Sequence, residues 1–314
     1  MSRSRHLVDP ELLPLLDAFP TVTITDENLA QLRSRDLPLP PVEDCGVDWE
    51  ERAIDGPDTQ IAVRIYRPRA ATEKLGCIYH IHGGGYVGGS VAEMEFLHRP
   101  LAAELNCAIV SVDYRLAPET SFPGNIEDCY AGLAWTFGHA DELGLDTTRI
   151  GVMGESAGGG FAAALALMAR DRGEYPLAFQ HLIYPMLDDR TCVAEPNPYS
   201  GEFVWHATNN RFGWSALLGE EPGGQGVSPF AAPARASDLA GLPPTFIGTA
   251  ALDLFVDENI EYARRLIRAG VPTELHVWPG AFHGFDLMPG PAVSDGARNS
   301  SRAALRRALQ PKAD

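Results

Sequence analysis

From Gly76 onward, short apolar runs alternate with stretches of helical length, and this alternation constrains the fold more than any other feature of the chain. A run that is apolar throughout has no solvent face, so a strand made from it must be covered on both sides. Strands that alternate with helices gain that cover from their own crossovers, which predicts a parallel sheet flanked by helices. The expected strands are Cys77–His82, Ala108–Asp113, Ile150–Gly154, His181–Tyr184, Thr245–Thr249 and Glu274–Trp278. Helices are expected near Ala92–Leu105, Ile126–His139, Gly158–Arg170, Glu258–Ala269 and Ala297–Leu309. Upstream, "VDWEERAI" and "IAVRIYRP" alternate apolar and polar residues around the turn-rich "DGPDTQ", the pattern of an antiparallel hairpin. Two short helical patterns, Glu11 to Asp17 and Asp26 to Arg35, precede a proline-rich loop "LPLPPVEDC". The alternation fails once, between about Met186 and Leu239, where Pro, Gly and aromatic residues predict an insertion over one end of the sheet.

Composition narrows the partners. With 45% hydrophobic and 21% charged residues over 314 positions, the chain can bury a large core. A formal charge of −17 repels phosphate backbones, so nucleic acid and anionic membrane surfaces are excluded as partners and a neutral or cationic small molecule is favoured. The N-terminal "MSRSRHLVDPELLPLLDAFP" lacks the apolar core of about 7–15 residues that a secretory signal needs. No stretch approaches the roughly 18 apolar residues of a membrane span. Five scattered cysteines without C-x-x-C spacing argue against a disulfide framework or zinc site. Together these predict a cytoplasmic protein with free thiols.

The chemistry concentrates in three places. In "RIGVMGESAGGGFAAALALMARD", Gly154, Ser156 and Gly158 form G-x-S-x-G between an expected strand and an expected helix. In that context the turn is so tight that its flanking positions must be small, and the serine hydroxyl stands exposed in a strained backbone. A nucleophilic serine needs a base, and the base an orienting carboxylate, in the α/β-hydrolase order Ser, Asp or Glu, His. Asp253 follows the strand of "PTFIGTAALDLFVDE" and His283 follows that of "ELHVWPGAFHGF", both at strand ends where open α/β sheets build sites. Asp257 and Glu258 lie close enough in sequence to Asp253 to be alternative carboxylates. The third place is "HIHGGGYVGGS", where bare glycine amides after a strand suit an oxyanion hole. Gly84, Gly85 and Ala157 are the expected donors, Gly83 allows the turn and His82 pins the loop.

Two rival readings use the same residues. Gly83, Gly85 and Gly88 match the dinucleotide fingerprint G-x-G-x-x-G, with Asp113 as a ribose-binding acid, but Gly89 and Ser90 intervene before the helix and the Ser156, Asp253 and His283 series goes unexplained. His80 and His82 could ligate a metal, yet third and fourth ligands are missing nearby, and His80 reads as a core residue. No cofactor and no metal are therefore expected.

Five motifs in order, "HGGGY" (His82 to Tyr86), "DYRLAPE" (Asp113 to Glu119), "GESAGG" (Gly154 to Gly159), "DLFVDE" (Asp253 to Glu258) and "HGF" (His283 to Phe285), resemble the hormone-sensitive-lipase-like esterases, the bacterial family IV lipolytic enzymes. The resemblance runs from about Trp49 to the end. It implies an α/β-hydrolase fold, a mostly parallel eight-stranded sheet flanked by helices, with a cap formed by residues 1–45 and an insertion at 186–239 that divides the core into 46–185 and 240–314. It also implies a serine carboxylesterase acting on short- to medium-chain carboxylic esters, with Ser156 as nucleophile, His283 as base, Asp253 as its partner, and a homodimer. Many members carry Asp or Thr where Glu155 stands, and Asp-Pro-Leu where this chain has Asp253, Leu254 and Phe255. Tyr114, Arg115 and Glu119 read as structural hydrogen-bonding residues. The insertion gathers Phe203, Trp205, Phe212 and Trp214, of which Phe203, Phe212 and Trp214, together with Tyr86, are the expected pocket lining.

Overall fold

The structure is a computed structural model, described for residues 2–18, 22–35, 39–287 and 289–311. Parts of the expected N-terminal cap segment, residues 1, 19–21 and 36–38, thus lie outside the described residues. Eight strands form one sheet: β1 (Val47–Asp55), β2 (Gln60–Pro68), β3 (Leu75–Ile81), β4 (Ala108–Asp113), β5 (Leu145–Glu155), β6 (Gln180–Ile183), β7 (Thr245–Ala250) and β8 (Thr273–Trp278), in the spatial order β1-β2-β4-β3-β5-β6-β7-β8. The β1–β2 hairpin is antiparallel, β2 runs antiparallel to β4, and every pairing from β4 to β8 is parallel. The helices in chain order are α1 (Leu13–Ala18), α2 (Leu29–Arg33), α3 (Glu95–Leu105), α4 (Gly124–Gly138), α5 (Ala157–Arg172), α6 (Ala207–Leu218), α7 (Val256–Arg268) and α8 (Ala292–Leu309). None of the described helices is long and apolar enough to cross a membrane.

The sequence pattern explains which strands sit inside. All of β3 and β7 is buried, as their unbroken apolar runs require, whereas β1 is exposed along most of its length and ends the sheet. Helix α5 is buried from Ala157 through Ala169 and is apolar on every face, because the sheet covers one side while α4 and the chain after β6 cover the other. Its small residues let it lie close to β5; truncating a larger one such as the fully buried Leu165 to Ala should cost about 2–5 kcal/mol. Helix α7 is amphipathic instead, with Tyr262, Ala263 and Leu266 inward and Ile260 and Ile267 exposed.

Two elements differ from the sequence expectation. Strand β5 begins at Leu145, before the polar Asp146 to Arg149 that interrupt the apolar run, and its pairing with β3 shifts register there. Asp146 accepts from the Thr148 amide (3.0 Å) and from Arg149 Nε (2.7 Å), so these polar groups are satisfied within the strand. Helix α6 has no counterpart among the expected helices: "ATNNRFGWSALL" includes Gly213 and two adjacent asparagines, which weaken its intrinsic preference. Tertiary contacts hold it. A Cβ on Gly213 would sit 2.6 Å from the Gly85 carbonyl oxygen, and Asn209 ties the N-terminal segment by accepting from the Ile24 amide (2.9 Å) and donating to the Val22 carbonyl (2.8 Å).

Candidate active site

The turn from β5 into α5 explains its own glycines. A Cβ on Gly154 would lie 2.3 Å from the Gly158 carbonyl oxygen, and one on Gly158 would lie 2.1 Å from that of Ile81, so neither position admits a side chain. Between them Ser156 adopts φ 56° and ψ −122°, a conformation unfavourable for any residue with a Cβ. It is fixed because the Ser156 amide donates to the Ile183 carbonyl (2.9 Å) while its own carbonyl accepts from Gly160 and Met186. The hydroxyl is thereby lifted to the first turn of α5, where the helix dipole favours negative charge.

Two loops beyond the ends of β7 and β8 meet this hydroxyl. His283 Nε2 lies 2.9 Å from Ser156 Oγ, and its Nδ1 lies 2.7 Å from Asp253 Oδ2. A carboxylate only accepts, so Nδ1 carries the hydrogen and Nε2 is left to accept from the serine. The other oxygen of Asp253 accepts from the Phe255 amide (3.0 Å), and the carboxylate is buried. Rings of Tyr184 and Phe255 pack against His283 at centroid distances of 4.7 and 5.4 Å, which removes its freedom to turn away. Of the two alternative carboxylates, Asp257 is exposed and bonds Asn197, while Glu258 is buried and accepts from the Leu187 and Asp188 amides and the Thr191 hydroxyl. Only Asp253 among the three reaches the imidazole.

The glycine loop after β3 comes up beside the serine. Gly84 and Gly85 take φ 119° and 61°, and their amides donate to no acceptor among the described residues. The Gly84 carbonyl instead closes the loop by accepting from Val87 and Gly88. Gly83 differs from expectation: its φ is not in the left-handed region, and its need for glycine is proximity, since a Cβ would stand 2.9 Å from the Glu155 carbonyl oxygen and 3.4 Å from Ser156 Cβ. His82 does sit against the loop, with Nδ1 2.8 Å from the Gly83 carbonyl and its ring stacked on Tyr114, whose hydroxyl donates to the His82 carbonyl. Arg115 grips Asp128 and Asp58, and Glu119 accepts two bonds from Arg33, so these polar residues brace the loop from outside.

The family model described as alpha/beta hydrolase fold matches residues 78–287. The chain belongs to the α/β-hydrolase fold family. The resemblance to hormone-sensitive-lipase-like esterases read from the five motifs is borne out by its relatives. It is 39% identical over 319 residues to carboxylesterase NlhH of Mycobacterium tuberculosis (strain ATCC 25618 / H37Rv), covering 98% of each chain. Esterase LipI of the same organism is 35% identical over 323 residues, covering 95% of this chain and 94% of its own. Among solved structures, a bacterial heroin esterase superposes with a TM-score of 0.88 at 39% identity, covering 98% of this chain and 99% of that one.

Within this α/β-hydrolase the four aromatic residues expected at a pocket take different places. Trp214 and Tyr86 are wholly buried and pack on each other (5.3 Å) and, through Tyr86, on Phe161, while the Tyr86 hydroxyl donates to the Met186 carbonyl. Phe203 packs edge-on to Phe282 (6.0 Å), and Phe212 joins Leu29, Val87 and Ala117 behind the glycine loop. All four rings pack against other core side chains. Of the four aromatic residues that the insertion gathers, it is Trp205 whose ring faces His283, at 6.4 Å, and it lies directly on Gly85. No periodicity in an irregular segment singles it out from its neighbours; only its membership of the aromatic cluster was legible.

The rival constellations also resolve. Asp113 accepts from the Val91 amide (3.2 Å) and the chain after Gly88 enters a helical turn only at Ala92, so this glycine loop does not open directly into a helix. No group of three potential metal ligands occurs among the described residues. His80 instead lies with Nε2 2.8 Å from Glu155 Oε2 and Nδ1 2.9 Å from Ser111 Oγ. Burial pushes the Glu155 carboxyl up to about 8 and the His80 imidazole down to about 3, so both are held neutral.

Proposed function

We propose that this carboxylic-ester hydrolase works through an acyl-enzyme on Ser156, and the observation that carries the reading is His283 bridging Ser156 Oγ and Asp253 Oδ2 within hydrogen-bond distance of both. As Oγ attacks the ester carbonyl, His283 Nε2 takes its proton and Asp253 stabilises the cation that results. The carbonyl oxygen, now negative, receives the amides of Gly84, Gly85 and Ala157, each donor contributing roughly 3–4 kcal/mol to the transition state. His283 then returns the proton to the departing alcohol. Water activated by the same nitrogen releases the acid and restores the serine.

The substrate in this reading is an ester of a short to medium acyl chain, in a site roofed by the N-terminal segment and the stretch from Met186 to Leu239. The near closure of the site supports it: Ser156 and His283 each keep only 7% exposure, and Asn209 and Arg33 fasten the N-terminal segment over the glycine loop. Each methylene placed in such a pocket gains about 0.8 kcal/mol, close to a fourfold rise in kcat/KM, until room runs out. Aryl esters of increasing acyl length therefore should give rates that climb to roughly four to eight carbons and then fall, by the same transfer argument. A rate still rising at about sixteen carbons, or activation by emulsions, rejects the closed pocket on that same argument. A homodimer belongs to this reading as well, and light scattering on the eluting protein tests it.

A further inference from the structure

Trp205 occupies a place that its burial alone does not explain. Its benzo edge rests on the glycine loop so closely that a Cβ on Gly85 would lie 2.2 Å from Cη2 and 2.9 Å from Cζ2. The same indole faces the His283 ring at 6.4 Å, tilted by 36°. The backbone is bent to achieve this. Val204, a β-branched residue, takes φ 60°, and the Trp205 amide folds back onto the Phe203 carbonyl at 2.7 Å. A positive φ at valine is costly and persists only where the surroundings enforce it. The indole N–H is held by Asn210 Oδ1 (3.4 Å), and Asn210 is itself buried and anchored to Cys192.

We propose that the Trp205 indole is the wall that limits the size of the alcohol portion of the ester. The proposal rests on the serine-esterase reading above. In that chemistry the oxyanion lies against the Gly85 amide and the leaving oxygen lies within reach of His283 Nε2. A ring in contact with Gly85 and facing His283 borders the space between those two oxygens, and the carbon attached to the leaving oxygen must pass there. The acyl chain departs from the tetrahedral carbon in the remaining direction, away from this edge. A primary alcohol clears the ring, whereas branching at the first carbon of the alcohol meets it. Trp205 is thus a specificity-determining residue, and Asn210 a positioning residue that holds the ring upright.

The experiment compares kcat/KM for ethyl, isopropyl and tert-butyl acetate, and separately for ethyl acetate and ethyl butyrate, in the full-length protein and in Trp205→Ala and Trp205→Phe. Trp205→Ala is expected to raise the ratio of tert-butyl to ethyl acetate about tenfold or more, by relief of a clash. Trp205→Phe should give an intermediate ratio, and both should leave the butyrate to acetate ratio within about threefold, as for a change that touches one side of the ester. An unchanged alcohol ratio overturns the proposal, and so does a larger change in the acyl ratio than in the alcohol ratio. If Trp205→Ala does not fold, as judged by its thermal transition, the ratio measured in Trp205→Phe decides alone. Ser156→Ala run alongside separates the two readings: ester turnover that survives this change defeats the serine mechanism, whereas its loss leaves the alcohol ratio to judge Trp205.

Discussion

Two chains of carboxyl, imidazole and hydroxyl run side by side through the centre of the molecule. The outer one joins Asp253, His283 and Ser156 at 2.7 and 2.9 Å; the inner one joins Glu155, His80 and Ser111 at 2.8 and 2.9 Å. Adjacent residues, Glu155 and Ser156, belong to different chains. By distances alone the two are equivalent, so hydrogen-bond connectivity does not by itself single out Ser156, the proposed nucleophile, from Ser111. Ser111 lies within β4, in an extended strand with no exposure at all, and β3 and β2 pair with it on either side. No carbonyl can approach its oxygen. Ser156 owes its position to the glycines of its turn, its left-handed backbone and the helix that starts beside it. Charge separates the chains as well. Burial keeps Glu155 protonated, donating to His80, whereas Asp253 accepts from both His283 and the Phe255 amide.

The largest test of this contrast removes one serine at a time. Ser156→Ala should lower kcat by about 10⁶, the usual loss when a triad nucleophile goes. Ser111→Ala should leave ester hydrolysis within about threefold and instead cost about 1–3 kcal/mol in chemical denaturation, because His80 Nδ1 is then buried without a partner. A serine-reactive organophosphate should label Ser156 and spare Ser111. Mass-spectrometric labelling of Ser111 would erase the distinction.

The carboxyls give the next test, and here the replacement is neutral in both. Asp253→Asn removes a charge that stabilises the imidazolium and fixes its tautomer, so kcat should fall by roughly 10⁴. Asp257→Asn, which touches only the exposed Asn197 contact, should leave kcat within about twofold. Glu155→Gln keeps a donor toward His80 and alters no charge that the folded protein carried, so kcat should stay within about tenfold, less than one unit of the 1.36 kcal/mol scale. A crippling loss at Glu155 would mean that the inner chain takes part in the reaction.

How far the sequence discloses these two chains follows from where their members sit. The sheet was legible because buried parallel strands leave unbroken apolar runs, and the outer chain because Ser156, Asp253 and His283 each follow such a run in a fixed order. The inner chain was not legible. His80 meets Ser111 through the β3–β4 register and meets Glu155 through the β3–β5 register, in which His80 stands opposite Met153, two residues before Glu155 on the same face. A register is a property of paired strands, and a single strand's pattern does not state it. Trp205 was obscured for a related reason, since an irregular segment has no periodic face to show which aromatic residue points inward. Helix α6 escaped because its tertiary contacts outweigh its own propensity.

The smallest effect concerns the pH dependence of stability, to which the buried Glu155 carboxyl contributes. Glu155 titrates near 4.5 in the unfolded chain and is pushed up to about 8 in the folded protein. Below 4.5 both states hold the proton and the group contributes nothing to the slope. Between 4.5 and 8 the unfolded chain has released it while the folded protein has not, so the unfolded state binds fewer protons and stability falls as pH rises. Above that window the contribution is constant. Burial of His80 acts in the opposite direction and lower, drawing stability down as pH falls from 6.5 toward 3. Glu155→Gln carries no titrating proton, and its amide N–H can replace the carboxyl O–H as the donor to His80 Nε2. Denaturation of both proteins at pH 5 and at pH 8 should therefore show the parent losing up to a few kcal/mol more than the variant over that interval, at 1.36 kcal/mol per unit of displacement. Other groups titrate in both proteins and cancel in the difference. Parallel losses in the two proteins would mean that Glu155 is ionised when folded, and the inner carboxylate would then accept from its imidazole as Asp253 does, leaving access to distinguish the two chains.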